Sequence, residues 1–288
     1  MKKNYRGMTY EIVDFNGEEA ITITGYEHYE SYTGQETLVD LVVPGQIDNV
    51  PVKIIGKEAF KASYNLKSVI LPEGIQIISD DAFSYCHQLK SINFPESLSS
   101  IGNYAFYSTG LTKIVFKTNL SYFGEFSFAE CIDLVSIVFR QATIMTFCQN
   151  AFNNCKKLNA VYIKSIEHWC NSIFYNINSN PLSNDNVWLY ENGSAVISIQ
   201  GNVNKLCFIK CRTHKMILDS VKARKDSFLN LKVDFLVIPN PVEIKLTDFS
   251  EPAFTSIREL EIINENNEYD TYVLPECSNE IVESLIKW

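Results

Sequence analysis

The chain has 288 residues, 46% of them hydrophobic, so it can bury a large core as one or two domains. Its formal net charge of −9 disfavours nucleic acid and anionic membranes as partners, because both reward clustered Lys and Arg. No stretch approaches the roughly 20 apolar residues of a membrane span, and the basic N-terminus lacks the apolar segment of a secretion signal. We therefore expect a soluble protein without membrane insertion.

The first predicted element is a β-hairpin. Apolar and polar residues alternate from Met8 to Thr24 around the dipeptide Asn16-Gly17, a favoured two-residue hairpin turn. We expect this hairpin to cap the start of the fold, within an N-terminal region over residues 1–54 that also holds a first strand.

A polar aromatic cluster follows the hairpin. Tyr26, Tyr29 and Tyr32 lie within a loop bounded by Gly25 and Gly34. Two interpretations are open at this point: the rings grip a sugar or a peptide, or they cover the first turn of the structure that follows.

A phenylalanine then recurs at steps of 23, 23, 22 and 24 residues, inside the same local pattern each time: Phe60, Phe83, Phe106, Phe128 and Phe152. Each unit reads I-G-x-x-A-F or a close variant, then a small residue, then L-x-x-[IV]-x-[LFI]. A further apolar position precedes the later units, at Ile75, Leu98, Leu120 and Ile144. Residues 55–163 are therefore a regular tandem array.

A unit of this length is too short for a pair of helices, but it suits one short strand and a return segment per turn. Within L-x-x-L-x-L the core side chains point inward and the others outward, so stacked units place their strands side by side in a parallel sheet. The sequence therefore predicts a β-rich solenoid.

The repeated pattern resembles the BspA-type (Treponema pallidum-like) leucine-rich repeat, over residues 38–163. Leu38-x-x-Leu41-x-Val43 already has the strand half of the unit. The resemblance implies a leucine-rich-repeat solenoid, a right-handed coil of about 23 residues per turn with a parallel sheet on one face. It also implies a surface or secreted bacterial protein, whereas the absence of a signal segment leaves a cytoplasmic location open.

The resemblance weakens over residues 164–225, which we interpret as an irregular repeat or insertion. His168-Trp169-Cys170 reads as a turn anchored by the tryptophan. The stretch 187–199 alternates on both sides of Asn192-Gly193 and predicts a second β-hairpin.

Residues 226–288 are predicted to hold degenerate repeats and a C-terminal cap. Phe228 and the pattern Val233-x-x-Leu236-x-Ile238 indicate one more unit. The stretch 281–286 carries apolar residues at helical spacing and predicts a lid helix. We expect all four regions to form one continuous solenoid domain.

The eight cysteines are interpreted as free thiols. Cys86, Cys131 and Cys155 each follow the repeat phenylalanine by three residues, where other units have Ser63 and Thr109. The shared requirement is a small side chain, and packed thiols satisfy it without a disulfide.

Cys207-x-x-x-Cys211-x-x-His214 is the only metal-like spacing in the chain. In an extended strand the two cysteines would share one face while the histidine points the other way, which is poor geometry for zinc. We favour a strand whose cysteine face lies in the core, and we expect no metal and no cofactor.

Catalytic signatures are not found in the sequence. It contains no Gly-rich phosphate loop, no G-x-S-x-G and no H-E-x-x-H. His168 and Cys170 could suggest a Cys-His pair, but the structural interpretation, a turn anchored by Trp169, is favoured. We expect the protein not to be an enzyme.

The outward face of the repeated strand is the predicted binding surface, because it is low in charge, partly apolar and held on rigid backbone. Its residues are Ser68, Ile70, Ser91, Asn93, Lys113, Val115, Ser136, Val138 and Tyr162. The alternative is that β-branched residues lie there for strand propensity alone.

The sequence thus favours a non-catalytic binding module for surface adhesion or protein recognition. Its expected partner is a protein or an extended peptide, such as a host or matrix protein, and not nucleic acid. Two alternatives stay open: a structural spacer without a specific ligand, and an enzyme that uses residues 164–226.

Overall fold

The computed structural model describes residues 2–27, 38–184, 187–204, 207–208, 210–223, 228, 231–238, 254–263 and 269–273. Tyr29 and Tyr32, Cys277 and the predicted lid helix at residues 281–286 lie outside the described residues.

Short strands are the main regular elements of the described chain. Those of the N-terminal region are β1 (Lys3–Tyr5), β2 (Met8–Phe15), β3 (Glu18–Tyr26), β4 (Val39–Val42), β5 (Gln46–Ile47) and β6 (Val50–Ile55). Those of the regular array are β7 (Leu66–Ile70), β8 (Ile77–Ile78), β9 (Ser91–Ile92), β10 (Ser100–Ile101), β11 (Lys113–Phe116), β12 (Tyr122–Phe123), β13 (Ser136–Phe139), β14 (Thr146–Phe147) and β15 (Ala160–Ile163).

The later part begins with the helix α1 (Ile166–Asn171), which Ser165 caps by accepting a hydrogen bond from the His168 N–H. Two short 3-10 turns lie at Ile177–Ser179 and Pro181–Ser183. The remaining strands are β16 (Ile173–Phe174), β17 (Trp188–Glu191), β18 (Val196–Val203), β19 (Arg212–Ala223), β20 (Leu231–Ile238), β21 (Phe254–Ile263) and β22 (Tyr269–Val273).

These elements form a parallel β-solenoid of about eight turns, which confirms the predicted fold class. The repeat sheet, made by the L-x-x-L-x-L strands, runs β4-β7-β9 and then β11-β13-β15-β17-β19-β20-β21-β22. A single bridge between Phe94 and Phe116 links its two parts.

A second sheet, parallel from β3 onward, lies on another side of the coil, where the sequence predicted a sheet on one face only. This corner sheet runs β1-β2-β3-β6-β8-β10-β12-β14-β16. Each repeat contributes two residues to it, such as Ile77–Ile78 paired with Ser100–Ile101. A strand of two residues has no alternating pattern, so the sequence carries no signal for it.

The N-terminal hairpin is confirmed. Strands β2 and β3 pair antiparallel around Asn16 and Gly17, whose φ angles of 58° and 85° suit a tight hairpin turn. Strand β3 then pairs in parallel with β6, placing Ile23 beside Ile55. The hairpin thereby covers the open edge of the corner sheet.

The repeat phenylalanines form one buried column, as predicted. Successive rings from Phe60 to Phe152 lie 4.9, 5.2, 4.9 and 5.3 Å apart and nearly parallel. A second column stacks Phe123, Phe147 and Phe174, with centroids 4.6 and 5.0 Å apart. Stacked aromatic rings therefore fill the interior along the axis of the coil.

A third set of hydrogen bonds joins the turns at the phenylalanine segment. The Phe60 N–H donates to the Ala82 carbonyl of the next turn at 2.8 Å, and the Phe83 N–H donates to Ala105 at the same distance. The residues two before and two after each ring adopt positive φ between 52° and 62°: Glu58, Ala62, Asp81, Tyr85, Tyr104, Ser108, Phe126, Glu130, Asn150 and Asn154. This left-handed geometry aims alternate N–H groups at the next turn.

The predicted apolar column ending at Ile144 is wrong in its last member. Ile75, Leu98 and Leu120 are buried, but Ile144 is 51% exposed and Met145 is buried instead. The unit that contains Met145 has 24 residues, and the extra residue shifts the inward position by one.

The second predicted hairpin is also wrong. The chain does turn tightly at Asn192 and Gly193, and Glu191 and Ser194 bridge each other across that turn. However, the flanking strands β17 and β18 do not pair with each other; both pair in parallel with β19. Strands β17 and β18 lie one after the other along the same edge of β19, and the turn at Asn192 and Gly193 is a short loop between them. The backbone groups of both strands are therefore paired with a neighbouring turn of the coil and not with each other.

A repeat that the sequence pattern missed begins at Phe208. This ring is buried and stacks on Phe228 at 5.3 Å. Cys211 follows Phe208 by three residues and occupies the small-residue position, so residues 207–208 form a turn rather than the predicted strand. In both units the inward strand residues come five, eight and ten positions after the ring: Thr213, Met216 and Leu218, then Val233, Leu236 and Ile238.

The repeat cysteines also contribute hydrogen bonds between turns. The thiols of Cys86, Cys131 and Cys155 each donate to the carbonyl of the repeat phenylalanine one turn earlier in the coil. The acceptors are Phe60, Phe106 and Phe128, at 3.0, 3.2 and 3.3 Å. All three are buried, and the structure describes seven cysteines of the chain as free thiols. Burial raises the pKa of Cys86 to about 12 and that of Cys131 to about 11.

Replacing Phe106 with Ala should lower the free energy of unfolding by roughly 3 to 5 kcal/mol, because the cavity would interrupt the ring column from both sides. Urea unfolding followed by circular dichroism measures this. Tyr104→Ala is the matched control, since that ring is partly exposed and its loss should lower stability by about 1 kcal/mol or less. Equal losses for the two variants would contradict the column as the main core.

Iodoacetamide at pH 8 should leave Cys86, Cys131 and Cys155 unlabelled in the folded protein. Their folded-state pKa values lie above that of an exposed thiol, so the reactive thiolate is scarce until pH rises well past 9. In denaturant without reductant, intact mass should show eight labels, one for each cysteine in the sequence. Fewer labels would reveal a disulfide.

Candidate binding face

The outward residues of the repeat sheet stand in register along the coil. Val115 pairs with Val138, Val138 with Tyr162, and Tyr162 with Tyr190. We call these four residues the tyrosine row. Strand alternation turns their side chains away from the core, and all four are half-buried. Their spacing is set by backbone pairing, so the row is rigid.

A second line of residues runs beside the first. Lys113 pairs with Ser136, Ser136 with Ala160, Ala160 with Trp188, and Trp188 with Arg212. We call these five residues the tryptophan row. The guanidinium of Arg212 lies over the Trp188 ring at 4.5 Å, a cation–π contact. Ala160 is buried, so this row dips at its centre.

The aromatic part of the face extends beyond the residues that the sequence predicted. The Tyr162 and Tyr190 rings stack at 4.8 Å, and Trp188 lies 6.3 Å from Tyr190. The sequence placed residues 188–191 in a hairpin, which hid their alignment with β15. The signal that was present is the alternation Trp188-Leu189-Tyr190, with Leu189 buried between the two rings.

In the N-terminal part of the predicted face, polar side chains are engaged in hydrogen bonds within the protein. Ser68 pairs with Ser91 in the sheet and donates to Asp40 at 2.6 Å. The Asn93 amide donates to the Leu71 carbonyl at 2.8 Å and accepts from the Leu71 N–H at 2.7 Å. Asn93 therefore continues the backbone ladder, while Ile70, 55% exposed, remains an apolar contact.

A depression of about 510 Å³ opens on the C-terminal part of the face. Val138 and Tyr162 lie within it, and three cationic side chains line it: Lys113, Arg140 and Lys164. Its wall on one side is the turn at Asn192–Gly193. We call this feature the basic depression.

Tyr26, the described member of the second predicted site, packs on the first turn. Its ring lies 5.6 Å from that of Phe60, and it is only partly exposed. Of the two interpretations of the tyrosine cluster, covering the first turn is the one that its contacts support for this residue.

The candidate catalytic and metal residues do not converge. His168 Nδ1 lies 2.9 Å from the Ser165 hydroxyl, whereas Cys170 is buried and burial raises its pKa to about 12. The Cys207 thiol approaches the carbonyls of Trp169 and Cys170, and His214 instead contacts Asp234 at 2.9 Å. Within the described residues, no group of three His, Cys, Asp or Glu side chains is placed to hold a metal ion.

Helices of membrane-spanning length and apolarity are not found in the described part of the chain.

Comparison with known proteins identifies the repeats. Residues 53–180 match the model of the BspA type leucine rich repeat region, in six copies. No curated protein matches the chain.

Comparison with solved structures finds several leucine-rich repeat proteins. The leucine-rich repeat protein of T. pallidum has a TM-score of 0.47 and 21% identity over 82% of this chain and 86% of its own. A leucine-rich repeat protein from Eubacterium ventriosum has a TM-score of 0.43 and 17% identity over 88% and 66%. A leucine rich cell surface protein from Faecalibacterium prausnitzii has a TM-score of 0.36 and 16% identity over 89% and 76%.

Replacing Asn93 with Ala should lower the free energy of unfolding by about 1 to 3 kcal/mol, because both backbone groups of Leu71 would lose a partner. Ser91→Ala, an exposed neighbour on the same strand, should change stability by less than about 0.5 kcal/mol. Thermal or urea unfolding of the two variants measures the difference. Indistinguishable stabilities would show that Asn93 is free to serve as a ligand contact instead.

Proposed function

We propose that the chain is a non-catalytic module that binds another protein, because residues 53–180 match the BspA type leucine rich repeat region. The binding surface is the outward face of the repeat sheet. The partner is a folded protein or an extended peptide, such as a host or matrix protein. The resemblance to BspA-type proteins supports action at the cell surface or after secretion.

The observation that carries this proposal is the tyrosine row beside the aromatic end of the tryptophan row. Together they offer Tyr162, Tyr190, Trp188 and Arg212 on rigid backbone at the surface. Tyr, Trp and Arg are the residue types that dominate binding hot spots between proteins. Because the sheet fixes their positions, binding would immobilise few side chains and so lose little entropy.

The predicted face is therefore divided between two roles. Ser68, Ser91 and Asn93 lie in the three-stranded part of the repeat sheet, where hydrogen bonds occupy Ser68 and Asn93. From Lys113 onward, the outward side chains supply apolar, aromatic and cationic groups. We assign recognition to this second part, with Ile70 as an outlying apolar contact.

The test is a double substitution of Val138 and Tyr162 to Asp. A random peptide library displayed on phage is panned against the wild-type protein, and the selected peptides are measured against the variants. The double variant should fold, since both side chains face outward. Its free energy of binding to the selected peptides should be weaker than that of the wild type by more than about 2 kcal/mol. The matched control replaces Ile173 and Tyr175, 50% and 66% exposed near the corner sheet, with Asp.

Three outcomes would contradict the proposal. Unfolding of the double variant would place Val138 or Tyr162 in the core. Equal binding by the double variant and the control would locate recognition elsewhere on the coil. Failure to select any specific peptide would favour a structural spacer.

A further inference from the structure

The basic depression concentrates positive charge on a chain whose net charge is negative. Lys113, Arg140 and Lys164 are exposed, and its lining contains no carboxylate. By contrast, two other lysines of the array, Lys90 and Lys157, both pair with Asp133, at 3.1 and 2.7 Å. Among the described residues, the three cations of the depression have no such ion pair. The site is therefore complementary to an anion.

The cations lie at opposite ends of the strands, with apolar surface between them. Lys113 pairs with Ser136 at the start of β13, and Arg140 follows the end of that strand. Arg140 lies four residue steps beyond Ser136 along extended chain, which corresponds to about 13 Å. Val138 and Tyr162 occupy the middle of this span.

We propose that the basic depression binds an extended acidic segment of a partner protein, in which two carboxylate side chains flank an apolar one at alternate positions. The motif is Asp-x-Φ-x-Asp, where Φ is an apolar residue. This inference rests on the proposed protein-binding function and gives it a ligand chemistry.

The spacing of an extended peptide fits the spacing of the site. Alternate residues of a strand project on the same side, so positions one, three and five are about 6.6 Å apart and span about 13 Å. The central apolar side chain then lies over Val138 and Tyr162. One carboxylate reaches Lys113, and the other reaches Arg140, whose guanidinium binds a carboxylate in two parallel hydrogen bonds. Lys164 adds charge at that same end.

The probe is a fluorescein-labelled peptide with the core Asp-Thr-Leu-Thr-Asp, measured by fluorescence polarisation. Two competitors separate spacing from charge: a peptide with the core Leu-Asp-Asp-Thr-Thr, which has the same composition, and dextran sulfate, which is a polyanion without the spacing. The first peptide should bind about tenfold more tightly than its rearranged form, and its affinity should fall as salt rises.

Arg140→Glu and Lys164→Glu should each weaken binding of this peptide by roughly tenfold, because a like charge would face the carboxylate. Lys156→Glu is the matched control: it makes the same charge change at an exposed turn outside the depression and should leave affinity unchanged. Circular dichroism confirms that each variant is folded.

Equal affinity for the two peptides, or equal loss in all three charge variants, would overturn the proposed motif. Binding of fluorescein-labelled dextran sulfate but of neither peptide would assign the site to an anionic polysaccharide instead. The proposed function has a separate readout: if library-selected partners lose affinity for the Val138 and Tyr162 double variant but not for Arg140→Glu, the face binds proteins and the acidic motif is wrong.

Discussion

The stacking of each repeat phenylalanine on its equivalent in the next turn is the constraint on which the structure depends. The ring spacing of 4.9 to 5.3 Å is close to the spacing of hydrogen-bonded strands, so backbone pairing and ring packing are satisfied by the same translation. Each inward-facing side chain must then pack against the equivalent side chains of the turns before and after it. This is why Cys86, Cys131 and Thr109 are interchangeable: the site admits a small group that reaches a neighbouring backbone or side chain.

The same translation that builds the core also builds the outward surface. A side chain that would be an isolated surface residue in another fold becomes one member of a line, because each turn repeats its position at a fixed distance. Side chains of similar chemical character can therefore line up along the coil without a specially shaped loop. Asn93 shows the limit of this freedom, since its amide is recruited to extend the ladder. Further along, Tyr162 and Tyr190 are free to stack on each other at the surface.

Sequence reasoning found the features that repeat at constant period and missed those at which the period changes. The phenylalanine column and the outward alternation follow directly from spacing. The inward shift to Met145 and the short unit at Phe208 do not, because one residue more or less moves every later position. The Asn192 turn was recognised locally, but its strands found partners in adjacent turns, which a local pattern does not specify. The sequence therefore did not predict Trp188 as part of the binding face. The hydrogen bonds of Asn93 to Leu71 were not predicted either, because they depend on the register between turns.

The backbone hydrogen bonds that join successive turns at the phenylalanine segment all point the same way along the coil. From Phe60 to Phe152, alternate backbone N–H groups donate to carbonyls of the next turn, on the C-terminal side. Along this segment the two cut ends of the coil are chemically unlike: a fragment that stops after one turn presents a row of bare donors there, and a fragment that starts at the next turn presents a row of bare acceptors. Halves of the array should therefore rejoin head to tail in a single orientation, and a cap suited to one end is useless at the other.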